Sequence, residues 1–279
     1  MSKTFARGRE WIERQDPASR QGVAIAAWRS YQQVDGPLQS LLLTAYVVIA
    51  VVPALIVMEE YLDPHPSALA THLVDHYGFS ATTATLLRSV LVHTRQHELG
   101  SALFAVAGAL FFGLGFGRVL QLVYARAWVL PLERSTTDFA RYAVVLLAIY
   151  GLILLLLLQL TELEGAPSWA GYAVAPGWIA LLWFFFAWSP RFLAHNRLAW
   201  RDLFPVAAVT ALGLVVIMII SNFVMEPWVD LYARDYGGFG VVMAMFFWLG
   251  FSSAVIVWAA ALSPALAQRR SLREQAAPA

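Results

Sequence analysis

Residues Tyr142–Leu160 read YAVVLLAIYGLILLLLLQL, with no charge anywhere and nothing but leucine and isoleucine over Leu152–Leu158. A helix rises 1.5 Å per residue, so about twenty such residues cross the roughly 30 Å of hydrocarbon in a bilayer. A helix on a soluble core keeps one charged face; this stretch is apolar all round, and lipid is the solvent that suits it. Five further runs have the same character: Leu38–Met58, Leu99–Gly117, Tyr172–Trp188, Pro205–Val224 and Phe239–Leu262. Together they predict an all-α polytopic membrane protein, a six-transmembrane-helix bundle. Short segments of strict alternation are absent, so a membrane β-barrel is not expected.

The composition points the same way. The chain has 279 residues, 59% hydrophobic and 13% charged, where soluble domains carry about a quarter charged residues. That is too little charge to clothe a soluble enzyme of this length. Nineteen basic residues against 18 acidic ones argue against a nucleic-acid binder with a basic face. The lack of cysteine removes disulfide frameworks, thiolate metal sites and a cysteine nucleophile.

Lys and Arg are retained on the cytoplasmic side of a membrane, and here they are sharply divided. The N-terminal segment, the loops after the second and fourth runs and the C-terminal tail together hold 16 of them, from Lys3 to Arg273. The opposite side has Arg88, Arg95 and Arg234 only, with ten acidic residues including Glu59, Asp75, Glu98, Glu226, Asp230 and Asp235. The expected location is the bacterial cytoplasmic (inner) membrane, multi-pass, with both termini cytoplasmic. Residues 1–37 carry charges at short intervals and predict no cleavable signal peptide. In them Val23, Ala27, Tyr31 and Val34 repeat at helical spacing, which predicts an amphipathic helix in the plane of the inner interface. The expected organisation is thus a cytoplasmic segment 1–37, a transmembrane domain 38–262 and a cytoplasmic tail 263–279. In the outer segment 59–98, Leu69, Leu73 and Tyr77, then Leu86 and Val90, fall at helical spacing and predict amphipathic helices capping the bundle.

Inside the spans, the second run has a small residue at every fourth position: Ser101, Ala105, Ala109, Gly113 and Gly117. Hydrophobic burial contributes little between helices in lipid, so close backbone approach and dispersion must hold them together, and such a stripe serves helix packing. Its alternative is a flexible break at Gly113–Gly117 lining a pathway. Pro53 removes one backbone hydrogen bond from the first run and predicts a kink. No Asp, Glu, Lys or His falls in the middle of any run, which weakens a proton-coupled pump with a carboxylate relay. Hydroxyls remain, and Thr44, Ser252 and Ser253 are the candidates to line a cavity; bonding back to their own helix carbonyls is the simpler reading. His72 and His76, and likewise His93 and His97, are spaced i,i+4 on one helix face, which suits zinc. They lack the glutamate that a zinc protease motif places after its first histidine, and polar-face histidines are the plainer explanation. No metal, cofactor or catalytic residue is therefore expected.

The order of features along the chain resembles a known family. An amphipathic segment ends in Asp35-Gly-Pro37, and a proline-bearing first span and a long acidic outer loop follow. A glycine-rich second span then runs into Arg118-Val-Leu-Gln-Leu-Val-Tyr124. Trp200-Arg-Asp-Leu203, Tyr236-Gly-Gly-Phe-Gly240 and Trp248-Leu-Gly-Phe-Ser252 come later. Over roughly residues 20 to 265 this is similar to the BrkB/YihY family of bacterial inner-membrane proteins. The resemblance implies six helices, both termini inside and a transporter-like role, with associations to serum resistance and envelope lipid export. The family's historical label, ribonuclease BN, does not suit this chain, whose inner loops are too small for a nuclease domain. Where many members have Gly-Ala-Glu near the end of the last span, this chain reads Ala259-Ala-Ala261-Leu-Ser263, so no role of that carboxylate carries over.

Three functions follow as expectations. The first is a transporter-like protein handling a lipid or amphipathic solute, with membrane lipids as its partners, no nucleic acid, and a substrate the sequence does not name. The second is a non-transporting scaffold of the cell envelope. The third is a passive channel, which would require a continuous polar pore and points to symmetry-related copies in a homo-oligomer.

Overall fold

The computed structural model describes residues 20–61, 74–75, 77–91, 99–131, 135–162 and 169–276. Among these the protein is all helical. The helices are α1 (Arg20–Gln33), α2 (Gly36–Tyr61), α3 (Ala81–Leu91), α4 (Leu99–Ala127), α5 (Asp138–Glu162), α6 (Trp169–Leu193) and α7 (Trp200–Ala276). Each of the six apolar runs falls inside one of them, the last two both within α7. Among the described residues, one helix, Trp200–Leu272, is long and apolar enough to cross a membrane, and Gly36–Ala50 is a shorter apolar helix. α2 runs on through Pro53 as helix.

α7 is a hairpin in all but its hydrogen-bond pattern. At Gly237 the backbone leaves the helix (φ 62°, ψ −141°), a conformation in the left-handed half of the map that glycine adopts without a Cβ clash. The break divides α7 into residues 200–236 (α7a) and 238–276 (α7b), which fold back on each other. A Cβ at Gly240 would run into the Tyr232 carbonyl, and one at Gly213 would come within 2.6 Å of the Val255 side chain. At the far end Arg270 donates to the Arg201 carbonyl at 3.1 Å. α1, α2, α3 and α6 all pack on this hairpin, and α2 also packs closely on α4.

The largest core lies between α2, α4, α5, α6 and the base of the hairpin, with Tyr124, Leu120, Leu43, Leu193 and Leu203 fully buried. A second cluster holds the hairpin tip: Met225, Val229 and Ala233 of α7a with Val241 and Ala244 of α7b, and Phe79 beneath α3. Ser80 caps α3, accepting from the Thr83 amide at 3.3 Å, and donates to Asp230 at 3.2 Å. A third cluster joins Val23 and Ala27 of α1 to Leu262 and Ala265 of α7b. Alanine at positions 26 and 27 lets α1 lie close on the hairpin.

At one end of the bundle the helix ends are tied by arginine and amide side chains. Arg126 pairs with Asp35 at 2.9 Å, and Gln121 donates to the Leu193 carbonyl at 2.9 Å. Arg141 donates to the Phe192 carbonyl and Arg191 to that of Leu198. Val129 (φ 53°), His195 (φ 55°) and Asn196 (φ 59°) are left-handed. They close α4 and α6, where Leu130 donates to the Ala125 carbonyl at 2.8 Å and Asn196 to that of Arg191 at 2.9 Å. These bonds satisfy carbonyls that the helix ends would otherwise leave without partners.

Candidate functional site

Of the stripe on α4, two glycines are described in contact. Gly113 lies against the tip of Leu146 of α5, and a Cβ at Gly117 would sit 3.0 Å from the Cα of Tyr142. Gly115, between them, faces Tyr46 of α2. Alternate glycines thus admit α5 on one side and α2 on the other. The side chains of Ser101, Ala105, Ala109 and Pro53, and all of His65, His72, His76, His93 and His97, lie outside the described residues. Among the described residues no group of three or more His, Asp or Glu could hold a metal ion.

Thr44 is fully buried and donates to the Ser40 carbonyl at 2.8 Å, a bond back to its own helix. Ser252 likewise reaches the Trp248 carbonyl at 3.4 Å, and Ser253 is buried. Thr44 comes near α7b, since a Cβ on Gly250 would lie 3.9 Å from its hydroxyl oxygen. The structure therefore brings Thr44 to the turn of α7b that precedes Ser253.

An open space lies elsewhere on the hairpin. A lateral groove of about 770 Å³ runs between α7a and α7b, with almost wholly apolar walls. Val209, Gly213, Ile217, Ile220 and Val224 line one side; Trp248, Phe251, Val255 and Trp258 line the other. Tyr31 of α1 closes one end and Trp228 lies at the other. From Val209 to Trp228 the wall is about 29 Å long at helical rise, close to the hydrocarbon thickness of a bilayer. Gly213 is the narrow point, where only a hydrogen leaves room for Val255. A smaller apolar cleft of about 420 Å³ opens between α5 and α6 at Gly151, Leu155, Phe184 and Trp188.

Two smaller recesses sit at the arginine-tied end. One, of about 220 Å³, is an open cleft between the two ends of α7, lined by Arg201, Asp202, Pro205, Leu266, Arg269 and Arg270. The other, of about 190 Å³, has Gln121, Ser135, His195 and Arg197 in its walls. Beside it His195 Nε2 lies 3.1 Å from the Asp138 carboxylate, which also accepts from the Ser135 amide at 3.0 Å. Asp138 therefore caps α5 and clasps the turn between α6 and α7 at once. Tyr142 donates to Gln121, extending the clasp to α4.

The sequence reading missed the tryptophan walls, because Trp228 falls between the last two apolar runs while Trp248 and Trp258 lie ten residues apart in the last one. The four-residue steps 209, 213, 217 and 251, 255 would have shown two matching faces once the glycine break was read as a hairpin. His195, the one histidine outside the outer loop, gave no spacing signal; its partner is 57 residues away.

No curated protein and no solved structure matches the chain. A family model described as Virulence factor BrkB matches residues 27–279, all but the first 26 residues. With its long apolar helix, the chain is a membrane protein that belongs to the BrkB family.

Proposed function

We propose that this protein spans the bacterial inner membrane six times, with both termini cytoplasmic, and handles a lipid or amphipathic solute without catalysing a reaction on it. The observation that carries this reading is the groove between α7a and α7b: apolar, open sideways and about as long as the hydrocarbon layer is thick. Such a trough offers dispersion contacts to a flexible hydrocarbon chain along its whole length. Its walls give no shelter to a charged group, so it serves the hydrocarbon part of the molecule. The scarcity of ionisable groups in the apolar runs fits a cargo that is itself apolar over most of its length.

The test is flux of a chain-labelled phospholipid between leaflets of proteoliposomes, with and without the protein. Acceleration that Ala254→Trp and Ile220→Trp both slow supports the reading, since both positions line the groove. No acceleration over protein-free vesicles would leave the scaffold reading in its place.

A further inference from the structure

Proteins rarely leave a buried indole N–H without an acceptor, because the hydrogen bond lost to water is then not replaced. Two tryptophans here follow that rule: Trp128 donates to Ser263 at 2.7 Å and Trp183 to the Phe204 carbonyl at 2.9 Å. Trp228 breaks it. Its Nε1 is buried and, among the described residues, meets no acceptor. The ring packs against Tyr232, with centroids 5.5 Å apart, and the side chain, half-buried as a whole, forms part of the groove wall. In a soluble protein water would satisfy such a group, but the hydrocarbon layer of a membrane holds none.

Trp228 stands at the tip-side end of the groove, about 29 Å along the α7a wall from Val209. With that wall crossing the hydrocarbon layer, Trp228 lies at the layer's edge, the depth that tryptophan favours in membrane proteins. The acyl esters of a glycerolipid occupy the same depth, where each hydrocarbon chain meets its headgroup. A neutral N–H between apolar walls suits a neutral acceptor such as an ester carbonyl; a phosphodiester brought there would lose more hydration than one such bond returns. From Trp228 to Gly213 the wall runs about 22 Å at helical rise, longer than the roughly 15 Å that one leaflet contributes to the hydrocarbon layer. We propose that Trp228 reads the acyl ester of a glycerolipid, its indole N–H donating to an ester carbonyl while the acyl chain lies along the groove towards Gly213. The ring turns about its two side-chain bonds to bring the N–H from the wall into the groove. Trp228 is then a positioning residue, which fixes the depth at which the lipid stops. This rests on the groove being a lipid site and adds the chemical group by which the lipid is held.

The test sets ester against ether. The full chain in detergent is mixed with equal amounts of diacyl phosphatidylcholine and its dialkyl analogue, which keeps the chains and headgroup and lacks both carbonyls. The two singly loaded species differ in mass and are counted separately by native mass spectrometry. The diacyl lipid should be favoured by about fivefold, the factor that one net hydrogen bond supplies. Trp228→Phe keeps an aromatic wall and removes the N–H; it should bring the ratio to about one while the dialkyl lipid binds as before. Trp258→Phe, further along the same groove, should keep the wild-type ratio. Ala254→Trp and Ile220→Trp should reduce loading of both lipids alike. A wild-type ratio near one, a preference that persists in Trp228→Phe, or one that Trp258→Phe also loses would overturn the role of the Trp228 N–H and leave the groove as a lipid site. Loading that neither Ala254→Trp nor Ile220→Trp alters would overturn the groove, and the proposal with it.

Discussion

Gly113 and Gly117 differ in what stands opposite them, and that difference sets the cost of giving each a side chain. Opposite Gly113 is the end of the Leu146 side chain, which can change rotamer; opposite Gly117 is the backbone of Tyr142, which cannot. Gly113→Ala should therefore be tolerated, whereas Gly117→Ala should destabilise by about 1–3 kcal/mol, the usual penalty for overpacking. Thermal unfolding of the detergent-solubilised variants, followed by size-exclusion fluorescence, would show it; equal midpoints would mean that α4 and α5 can slide apart freely. Asp138 offers a second comparison. Its carboxylate caps α5 and meets His195, so Asp138→Ala should lose about 1 kcal/mol for the cap alone. His195→Ala leaves the cap intact and should cost less. The hydroxyls form a third set: Ser252 and Thr44 bond to their own helices, and Ser252→Ala should leave both lipid association and the unfolding midpoint unchanged.

Among the elements, the hairpin break carries the sharpest expectation. Gly237 has a positive φ with open space around it, so Gly237→Ala should cost about 1–2 kcal/mol of backbone strain. Gly240→Ala meets the Tyr232 carbonyl and must push the prongs apart, and the larger loss should appear there in the same unfolding assay. The reading from sequence stopped short at this element for a definable reason. Pro205–Val224 and Phe239–Leu262 were found by their apolar content, and the residues between them, with Glu226, Asp230, Arg234 and Asp235, look like a loop by charge. They are helical because Met225, Val229 and Ala233 make an apolar stripe that packs on α3 and its flank. Likewise α4 and α5 are longer than their apolar runs, since the ends are stabilised by side-chain ties such as Arg126–Asp35 that span 91 residues. Local periodicity reports which residues avoid water; it does not report which distant carbonyl will accept a guanidinium. The α4 glycines were legible because their four-residue step is local, and the groove was not, because its two walls come from different turns of a chain that reverses.

Taken as a whole, the molecule offers a direct way to measure its orientation. The chain has no cysteine, so single cysteines can be introduced without a background. Arg234→Cys, near the hairpin tip, should react with a membrane-impermeant maleimide added to intact spheroplasts. Ser271→Cys, beside Arg270 at the opposite end, should react only after permeabilisation; labelling of Ser271→Cys alone in intact cells would invert the proposed topology. Joining α7a and α7b at Gly237 has a mechanical consequence as well. The structure is a pair of tongs, with one pivot at the tip and arms of nearly equal length, each about 55 Å at helical rise. For rigid arms, one degree of rotation at the pivot separates the handles by about 1 Å, while positions close to the tip hardly move. The jaw width is therefore governed at the handles, where Arg270 hooks the Arg201 carbonyl and α1 is laid across both arms like a strap.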